Sequence, residues 1–302
     1  MSLKSIKSKI KSTIRTSKVT KAMEAVSAVK MRKSQERALD GRPYAETALR
    51  ILERVSHTID AKHHPLMRQH TEGKTAVVVI TSDKGLAGSL NTAVLKQVHA
   101  IIRALPKDSV ELICYGKKSY EHFTHRGYEV PRHFINVTDD IALTDLEDVI
   151  AFITASYMDK KYQKVFVVYQ SFISTFEQTA VARQVLPLET TSLQEIVTGI
   201  VPKQGKYSDL KEEVKAVAYT VEPNQEAIYQ TIFPMLIKIM VYHALLESKA
   251  SEHSARMVAM KNATDKAKEV THLLTLQFNK ARQAVITREV SEITGGIEAM
   301  KE

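Results

Sequence analysis

The sequence predicts an α/β protein in which long N- and C-terminal helices form an antiparallel coiled coil and a sheet domain lies between them. Residues 2–40 contain no Gly or Pro, and neither residue occurs between Pro234 and Gly295. Between these stretches, strand-like and helix-like segments alternate, which favours a mainly parallel sheet. We assign residues 1–60 to the N-terminal coiled-coil helix, 74–213 to the central α/β domain and 222–302 to the C-terminal coiled-coil helix.

The composition is that of an ordinary soluble protein with a bias toward helix. Of 302 residues, 44% are hydrophobic and 25% charged, and Trp is absent. We find no run of roughly 20 uncharged apolar residues, the length a membrane helix needs, and no secretory signal pattern. Cys114 is the only cysteine, which excludes an internal disulfide and a cysteine-based zinc site. We therefore expect a cytosolic protein with a buried thiol.

The N-terminal helix carries a thin apolar stripe. Its apolar residues recur at steps of three and four: Leu3, Ile6, Ile10, Ile14, then Val19, Ala22, Val26 and Val29. A narrow stripe with small residues predicts close packing against one partner helix. We expect Gly41 and Pro43 to kink this helix before a helical pattern resumes from Tyr44 to Ile59.

The C-terminal segment follows a heptad frame. Its seam positions are Leu236, Ile239, His243, Leu246, Ala250, His253, Met257, Met260, Thr264, Ala267, Thr271, Leu274, Phe278, Ala281 and Val285. Alternating steps of three and four predict a left-handed coiled coil, on the order of 90 Å long at about 1.5 Å per residue. Because one compact domain brings the bases of both helices together, we expect them to pair antiparallel with each other.

The middle of the chain predicts a Rossmann-like domain. We expect strands at Thr75–Thr81, Val110–Tyr115, Lys164–Gln170 and, in extended form, Thr179–Leu188; helices at Leu90–Leu105, Lys117–Arg126 and Leu143–Tyr157; and an exposed loop at 199–213. Strands separated by helices pair in parallel through crossover connections.

The formal charge of +9 is concentrated at the N-terminus, where residues 1–40 hold eleven Lys or Arg and three acidic residues. An acidic partner is expected there: nucleic acid, an anionic membrane surface or an acidic protein loop. A basic coiled-coil nucleic-acid-binding protein is therefore an alternative function. It explains less, because this segment has no aromatic residue to stack on bases.

The sequence shows no recognisable catalytic, cofactor-binding or metal site. Gly85 and Gly88, in the turn after the first strand, fit neither the dinucleotide fingerprint nor the phosphate loop, and Gly116–Ser119 lacks the upstream glycine. We interpret both as structural turns, which disfavours a nucleotide-dependent enzyme. His122 and His125 share a helical face and His63 adjoins His64, but no acidic or cysteine cluster completes a metal site. We expect these histidines to be solvent-exposed.

Three parts of the chain resemble the gamma subunit of F-type ATP synthases. They are Ile6–Ile10 with Val19–Val26 and Lys30–Arg37 near the start, Thr81–Asn91 in the middle, and Leu245–Ser248, Ser251–Asp265 and Phe278–Thr287 near the end. The sequence departs from the family at Ser89, where a glycine is usual, and at Tyr219, near which a Trp is frequent. The cysteine-pair insertion of chloroplast members and an organellar transit peptide are missing, which implies a bacterial-type subunit without thiol control.

The resemblance implies a non-catalytic rotor shaft without cofactors. In the family, the coiled coil enters a hexamer of alpha and beta subunits, and the α/β domain rests with an epsilon subunit on the membrane ring of c subunits. Proton-driven rotation of that ring then cycles the catalytic beta subunits through ATP synthesis or hydrolysis. The implied location is the cytoplasmic face of the bacterial plasma membrane.

The resemblance also implies which residues contact partners. Acidic beta loops would press on Met23 and its basic neighbours Lys18, Lys21 and Lys30. Arg282 and Gln283 match the family's catch contact with a beta loop, and Thr287 and Glu292 lie in the same tip region. The loop from Lys206 to Glu212 is the expected contact with the rotor ring.

Overall fold

The computed structural model describes residues 2–40, 64–188 and 225–300. In chain order, its elements are α1 (Leu3–Asp40), β1 (Lys74–Ile80), α2 (Leu90–Ile102), β2 (Val110–Tyr115), α3 (Lys117–Thr124), β3 (Glu129–Phe134), α4 (Glu147–Met158), β4 (Tyr162–Phe172), β5 (Gln178–Leu186) and α5 (Gln225–Ala299), with 3-10 turns at Lys107–Ser109 and Leu143–Leu146. The predicted kink at Gly41 and Pro43, the helix at Tyr44–Ile59, His63 and the loop at 199–213 lie outside the described residues.

The five strands form one sheet in the order β3-β2-β1-β4-β5. β1 pairs in parallel with β2 and β4, and β2 pairs in parallel with β3, whereas β4 and β5 are antiparallel. Every residue of β1 after Lys74 is buried, as expected for a strand covered on both faces. The predicted Rossmann-like domain with a mainly parallel sheet is confirmed.

Several element limits differ from the sequence prediction. Strand β3 was missed because Glu129–Phe134 is a polar edge strand containing Pro131, and edge strands lack a continuous apolar run. The helix expected to reach Leu105 ends at Ile102, and the one expected to reach Arg126 ends at Thr124. The segment from Leu143 begins as a 3-10 turn before α4.

Two cores cover the two faces of the sheet. On one face, α2 and α3 contribute Val94, Val98 and Phe123 to a cluster that includes Cys114. Burial raises the pKa of the Cys114 thiol to about 12, which leaves it protonated and inert. On the other face, α4 and the first part of α5 contribute Ile153, Phe233 and Ile237 to the larger core. The α/β unit is thus a three-layer sandwich.

One stretch of α5 is apolar enough to span a membrane by length and composition alone. An 18-residue window within Tyr229–Ile297 reaches a mean hydropathy of 1.2. Within this window, 67% is buried inside the protein. In the same helix, Phe233, Leu236 and Ile237 belong to the larger core. Pro234, which cannot donate a backbone hydrogen bond, also lies inside this helix.

The chain divides into two compact units. One comprises Met1–Ser27 and Met257–Glu302, and the other Ala28–Arg256. In the first unit, the predicted frame on α5 is confirmed, because Met257, Met260, Thr264, Ala267, Thr271, Leu274, Phe278, Ala281 and Val285 are buried or half-buried. Thr20 of α1 and Thr264 of α5 meet in this seam, their hydroxyl oxygens 2.6 Å apart.

The predicted apolar stripe of α1 is wrong beyond Ile10. Ile14, Val19, Val26 and Val29 are 41–69% exposed. The inward positions instead continue the count from Ile6 and are largely small and polar: Ile10, Thr13, Ser17, Thr20, Glu24, Ser27, Met31 and Ser34. Steps of three and four keep a coiled-coil seam facing its partner whatever the residue type. Thr13 and Thr20 satisfy their hydroxyls on the carbonyls of Lys9 and Ser17, which limits the cost of burial.

The segment 139–141 shows that α1 and α5 run in opposite directions in the second unit. Lys30 of α1 and His253 of α5 both contact Asp139. Further along α1, Arg37 contacts Asp140, whereas Tyr242, earlier on α5, donates to the carbonyl of Ile141. The two helices therefore pass the same segment antiparallel, as predicted.

Candidate functional site

The carboxyl edge of β1, where folds of this topology often bind phosphate, is closed by its own side chains. The Ser82 amide donates to Asn91 Oδ1 at 3.0 Å, and the Lys117 amide donates to Asp83 at 2.9 Å. Arg256 of α5 donates to the carbonyls of Lys84 and Gly85. These donors are thus engaged within the chain instead of facing a ligand.

The remaining space at this edge is too small for a nucleotide. α5 lies over Ile80 and Tyr115 through Leu245 and Ser248, leaving a cavity of only about 10 Å³, which has room for about one water molecule. Gly116 has φ +92, and a Cβ there would collide with the carbonyl of Thr81. The interpretation of both glycine turns as structural fits this geometry.

The Asp139 cluster joins α1, α5 and the loop after β3, and consists of Asp139, Asp140, Lys30, Arg37, Lys249 and His253. Asp139 accepts from His253 Nε2 at 2.9 Å and from Lys30 Nζ at 2.7 Å, and Lys249 lies 3.8 Å away. The hydrogen bond from His253, then that from Lys30, holds the pKa of Asp139 well below its usual range. The cluster fastens two helices to one loop.

Sequence reasoning missed this cluster. The signal available was the pair Asp139–Asp140 in a chain whose basic residues are concentrated in α1. It also assigned Lys30 to a partner, whereas the structure pairs Lys30 with Asp139 inside the chain. A partner contact by Lys30 stays a prediction, and Lys30 would have to share or leave Asp139 to make it.

A second, outward-facing stripe runs along α1 opposite the seam. We name it the α1 outer stripe and define it as Val19, Ala22, Val26 and Val29, all of them exposed. Their steps of three, four and three place them on one helical face. Large exposed apolar residues grouped in this way mark interaction surfaces.

The predicted contact residues of α1 lie around this stripe. Lys18 and Lys21 are exposed, and Met23 is half-buried beside the seam. Arg15 and Lys18 precede the stripe, and Lys33, which also lies 3.3 Å from Asp140, follows it, so an apolar strip is bracketed by basic residues. Such a surface suits a partner that offers both apolar and acidic groups.

The other predicted contact residues lie near the end of α5. Arg282, Gln283, Thr287 and Glu292 are all exposed. Ile6 lies as far before Thr20 as Phe278 lies after Thr264, so α1 begins at the level of the residues just after Phe278. From Ile286 onward every side chain that the structure describes is exposed, including Ile286, Val290, Ile293 and Ile297. We name these four residues the α5 tip stripe.

Comparison with known proteins gives one family and one fold. The sequence model of a family described as ATP synthase matches residues 2–300. The central stalk and c-ring structure of the Tetrahymena thermophila mitochondrial ATP synthase matches with a TM-score of 0.57 and 23% identity, covering 81% of this chain and 99% of that one.

Two structures from Euglena gracilis are also similar. The rotor of its mitochondrial ATP synthase in rotational state 1 matches with a TM-score of 0.60 and 17% identity, over 94% of this chain and 98% of that one. The OSCP/F1/c-ring assembly in rotational state 3 gives 0.63 and 17%, over 99% and 94%. Because these matches cover 94% and 99% of this chain, the shared fold includes both terminal helices.

Proposed function

The chain belongs to the ATP synthase gamma-subunit family, and from this we propose that it is the rotor shaft in the central stalk of an ATP synthase. The observation that carries the proposal is a family match over 2–300, which includes both long helices and the α/β unit. The shaft couples ion-driven rotation of a membrane ring to the catalytic cycle of ATP synthesis and hydrolysis.

The α1 outer stripe and the α5 tip stripe are the surfaces that meet the catalytic hexamer of alpha and beta subunits. The outer stripe offers apolar contact bracketed by Arg15, Lys18 and Lys33, which suits acidic loops of beta subunits. Around the tip, Arg282 and Gln283 bind a beta loop, because a guanidinium can form paired hydrogen bonds with a carboxylate. Thr287 and Glu292 extend that contact.

The shaft acts through its asymmetry. Each beta subunit meets a different face of the coiled coil at a given angle, so rotation changes the contacts that each subunit receives. Differential contact shifts a conformational equilibrium, and about 1.4 kcal/mol changes a population ratio tenfold. Rotation thereby becomes a sequence of nucleotide affinities in subunits that carry the chemistry themselves.

The α/β unit forms the foot of the shaft. With an epsilon subunit it rests on the ring of c subunits, and the segment Lys206–Glu212 contributes to that contact. We place the assembled complex at the cytoplasmic face of a bacterial plasma membrane. The chain itself binds no nucleotide, in keeping with the closed carboxyl edge of β1.

Reconstitution tests this proposal. Purified alpha and beta subunits are assembled with and without the chain, and ATPase turnover is measured. We expect one copy per hexamer and restored turnover, with Arg282→Ala plus Gln283→Ala reducing turnover while one copy still assembles.

The rotor proposal would be wrong if the chain neither assembled with the hexamer nor changed its ATPase turnover. Salt-sensitive DNA binding by the isolated chain would then revive the alternative of a basic nucleic-acid-binding protein. The present findings do not favour that alternative, because the α1 outer stripe is apolar along its length.

A further inference from the structure

The loop after β3 contacts α5 at three levels, and we name residues 137–141 the bridging segment. Three side chains of α5 donate hydrogen bonds to it. They are Lys249 to the carbonyl of Val137 at 3.0 Å, His253 to the carboxylate of Asp139 at 2.9 Å and Tyr242 to the carbonyl of Ile141 at 3.3 Å. At about 1.5 Å per residue, these contacts extend over about 16 Å of the helix axis. The bridging segment thus follows α5 for about three turns.

α1 binds the same segment through three basic side chains. Lys30 Nζ lies 2.7 Å from Asp139 Oδ2, and Lys33 Nζ lies 3.3 Å from Asp140. Arg37 donates to the carbonyl of Asp139 at 2.6 Å and to the carboxylate of Asp140. Steps of three and four place these basic residues on one face of the helix. The bridging segment therefore contacts one face of α1 over about two turns.

Polar contacts are the main attachment of α1 at this level. Across these two turns, the buried side chains of α1 are Met31 and Ser34, of which only Met31 is apolar. A single apolar side chain contributes little hydrophobic attachment. In contrast, α5 contributes Phe233 and Ile237 to the larger core, so packing holds it in the α/β unit. α1 therefore depends on the bridging segment, and α5 does not.

Asp139 lies between basic groups of both helices. Its carboxylate is 2.7 Å from Lys30 of α1 and 3.8 Å from Lys249 of α5. A carboxylate between two ammonium groups attracts both, whereas the ammonium groups alone would repel each other. Glu252, 3.9 Å from Lys249, offsets the charge on the α5 side only. The charge of Asp139 is thus what joins the two helices.

We propose that the bridging segment transmits rotation between the α/β unit and α1, with Asp139 as its positioning residue. This inference rests on the rotor function proposed above. All residues of the contact belong to the compact unit Ala28–Arg256. Because α5 is part of the core, it turns with the α/β unit, and α1 turns with it through Asp139 and Asp140. Two helices then share the torque, and the pair twists less than α5 would alone.

Torsional stiffness of the assembled complex tests the proposal. A hexamer of alpha and beta subunits that contains the chain is fixed to a surface without nucleotide. A bead is attached at Asp108→Cys, an exposed position of the α/β unit. Cys114 does not compete for the label, because it is buried. The angular fluctuation of the bead then measures how easily the α/β unit twists against the part of the shaft that the hexamer holds.

Loss of the bridging contacts should increase this fluctuation. In Asp139→Asn, we expect the angular variance to rise by up to about twofold, because a load shared by two helices falls to one. Arg37→Gln should raise it less, and Asp139→Glu, which keeps the carboxylate, should stay closer to the native value. Arg32→Gln is the matched control, since it removes the same charge from an exposed site of the same helix, and it should leave the variance unchanged.

The variance distinguishes this role from a purely structural one. A variant that is only less stable, and still assembles as one copy per hexamer, keeps the native variance below its melting temperature. Native variance in both Asp139→Asn and Arg37→Gln, or an equal rise in Arg32→Gln, would overturn the proposal. A native chain that does not assemble, or whose bead does not rotate when ATP is added, would instead contradict the rotor function.

Discussion

The hydroxyl groups of Thr20 and Thr264 form a hydrogen bond across the seam between α1 and α5, with their oxygens 2.6 Å apart and the residues 244 positions apart in the chain. Either hydroxyl can be the donor, because each also lies within hydrogen-bonding distance of a carbonyl of its own helix, Thr20 at 3.1 Å from Ser17 and Thr264 at 2.8 Å from Met260. A polar pair inside a seam fixes register, because a shift of one turn would separate the partners.

Removing both hydroxyl groups should change the free energy of unfolding little, although the two residues interact measurably. Replacing one threonine by Val should cost no more than about 1 kcal/mol, and replacing both should be near neutral, since no polar group is then left unpaired. A double-mutant cycle by urea unfolding should give a coupling of about 0.5–1.5 kcal/mol for Thr20→Val with Thr264→Val. Thr13→Val with Thr264→Val is the control and should be additive, and additivity in the test pair would contradict the assignment.

Asp139 should contribute more to the stability of the fold than the neighbouring Asp140. Asp139→Asn weakens charge-assisted bonds to His253 and Lys30, and we expect a destabilisation of about 1–2 kcal/mol by urea unfolding, discounted for partial exposure. The pKa of Asp139 is lowered in the fold, so its contribution is present above the ordinary carboxyl pKa and is lost as pH falls through the lower folded value. The stability of Asp139→Asn should therefore fall less steeply than that of the native chain as the pH is lowered. Asp140→Asn, at an exposed carboxylate, serves as the control and should change stability less.

His243 and Glu247 should impose opposite pH dependences on stability. Their side chains meet in α5 at 3.3 Å and are almost fully buried. Burial raises the pKa of Glu247 to about 7 and lowers that of His243 to about 3, from ordinary values of 4.5 and 6.5. Glu247 thus makes stability fall as pH rises from 4.5 toward 7, whereas His243 makes it rise up to 6.5. In the native chain the two effects cancel between pH 4.5 and 6.5.

Replacing Glu247 or His243 singly should reveal the pH dependence of stability that each residue contributes. The stability of Glu247→Gln relative to the native chain should rise with pH between 4.5 and 6.5, and that of His243→Gln should fall. Each change is on the order of 2–3 kcal/mol over the range, measured by urea unfolding at several pH values. Glu289→Gln, at an exposed site, should show neither slope. Slopes of the same sign in the two variants would refute the opposite pKa shifts of these residues.

The α1 outer stripe should be needed for assembly and not for folding. Val26 is 56% exposed, so Val26→Asp should leave the melting temperature nearly unchanged. A carboxylate in a surface that meets acidic loops should weaken association with the alpha and beta subunits by repulsion and desolvation, as measured by co-purification. Asn262→Asp adds the same charge at an exposed site of α5 and should assemble normally. Equal assembly of both variants would exclude the stripe as a contact.

The fold was predictable where burial and residue type agree. The runs at β1 and β2 and the heptad frame of α5 have that property, and each was placed within a few residues. The seam of α1 was not, because it buries Thr20, Ser27 and Ser34 while Val26 faces outward. Apolar periodicity indicates which face of a helix is apolar, not which face is buried. Between Val19 and Val29, the apolar face of α1 is the exposed one.

Some of the candidate contacts could be predicted from the sequence and others could not. Arg282 and Gln283 could be placed from the resemblance because a local motif carries them. The pairing of Lys30 with Asp139 joins residues 109 positions apart, and nothing in the local pattern of either residue indicates its partner. Contacts between elements depend on how the sheet and helices pack, which periodicity does not encode.

The helix pair has a consequence for synthesis, because its two helices are far apart in the chain. α1 is synthesised before α5, and Thr264 lies 244 residues after Thr20. Until the second half of α5 emerges from the ribosome, α1 has no seam partner and its outer stripe is also uncovered. Long-range closure of this kind slows folding and leaves apolar surface available to chaperones or to aggregation. The nascent chain is therefore most vulnerable after α1 and the α/β unit have been made and before the end of α5 emerges.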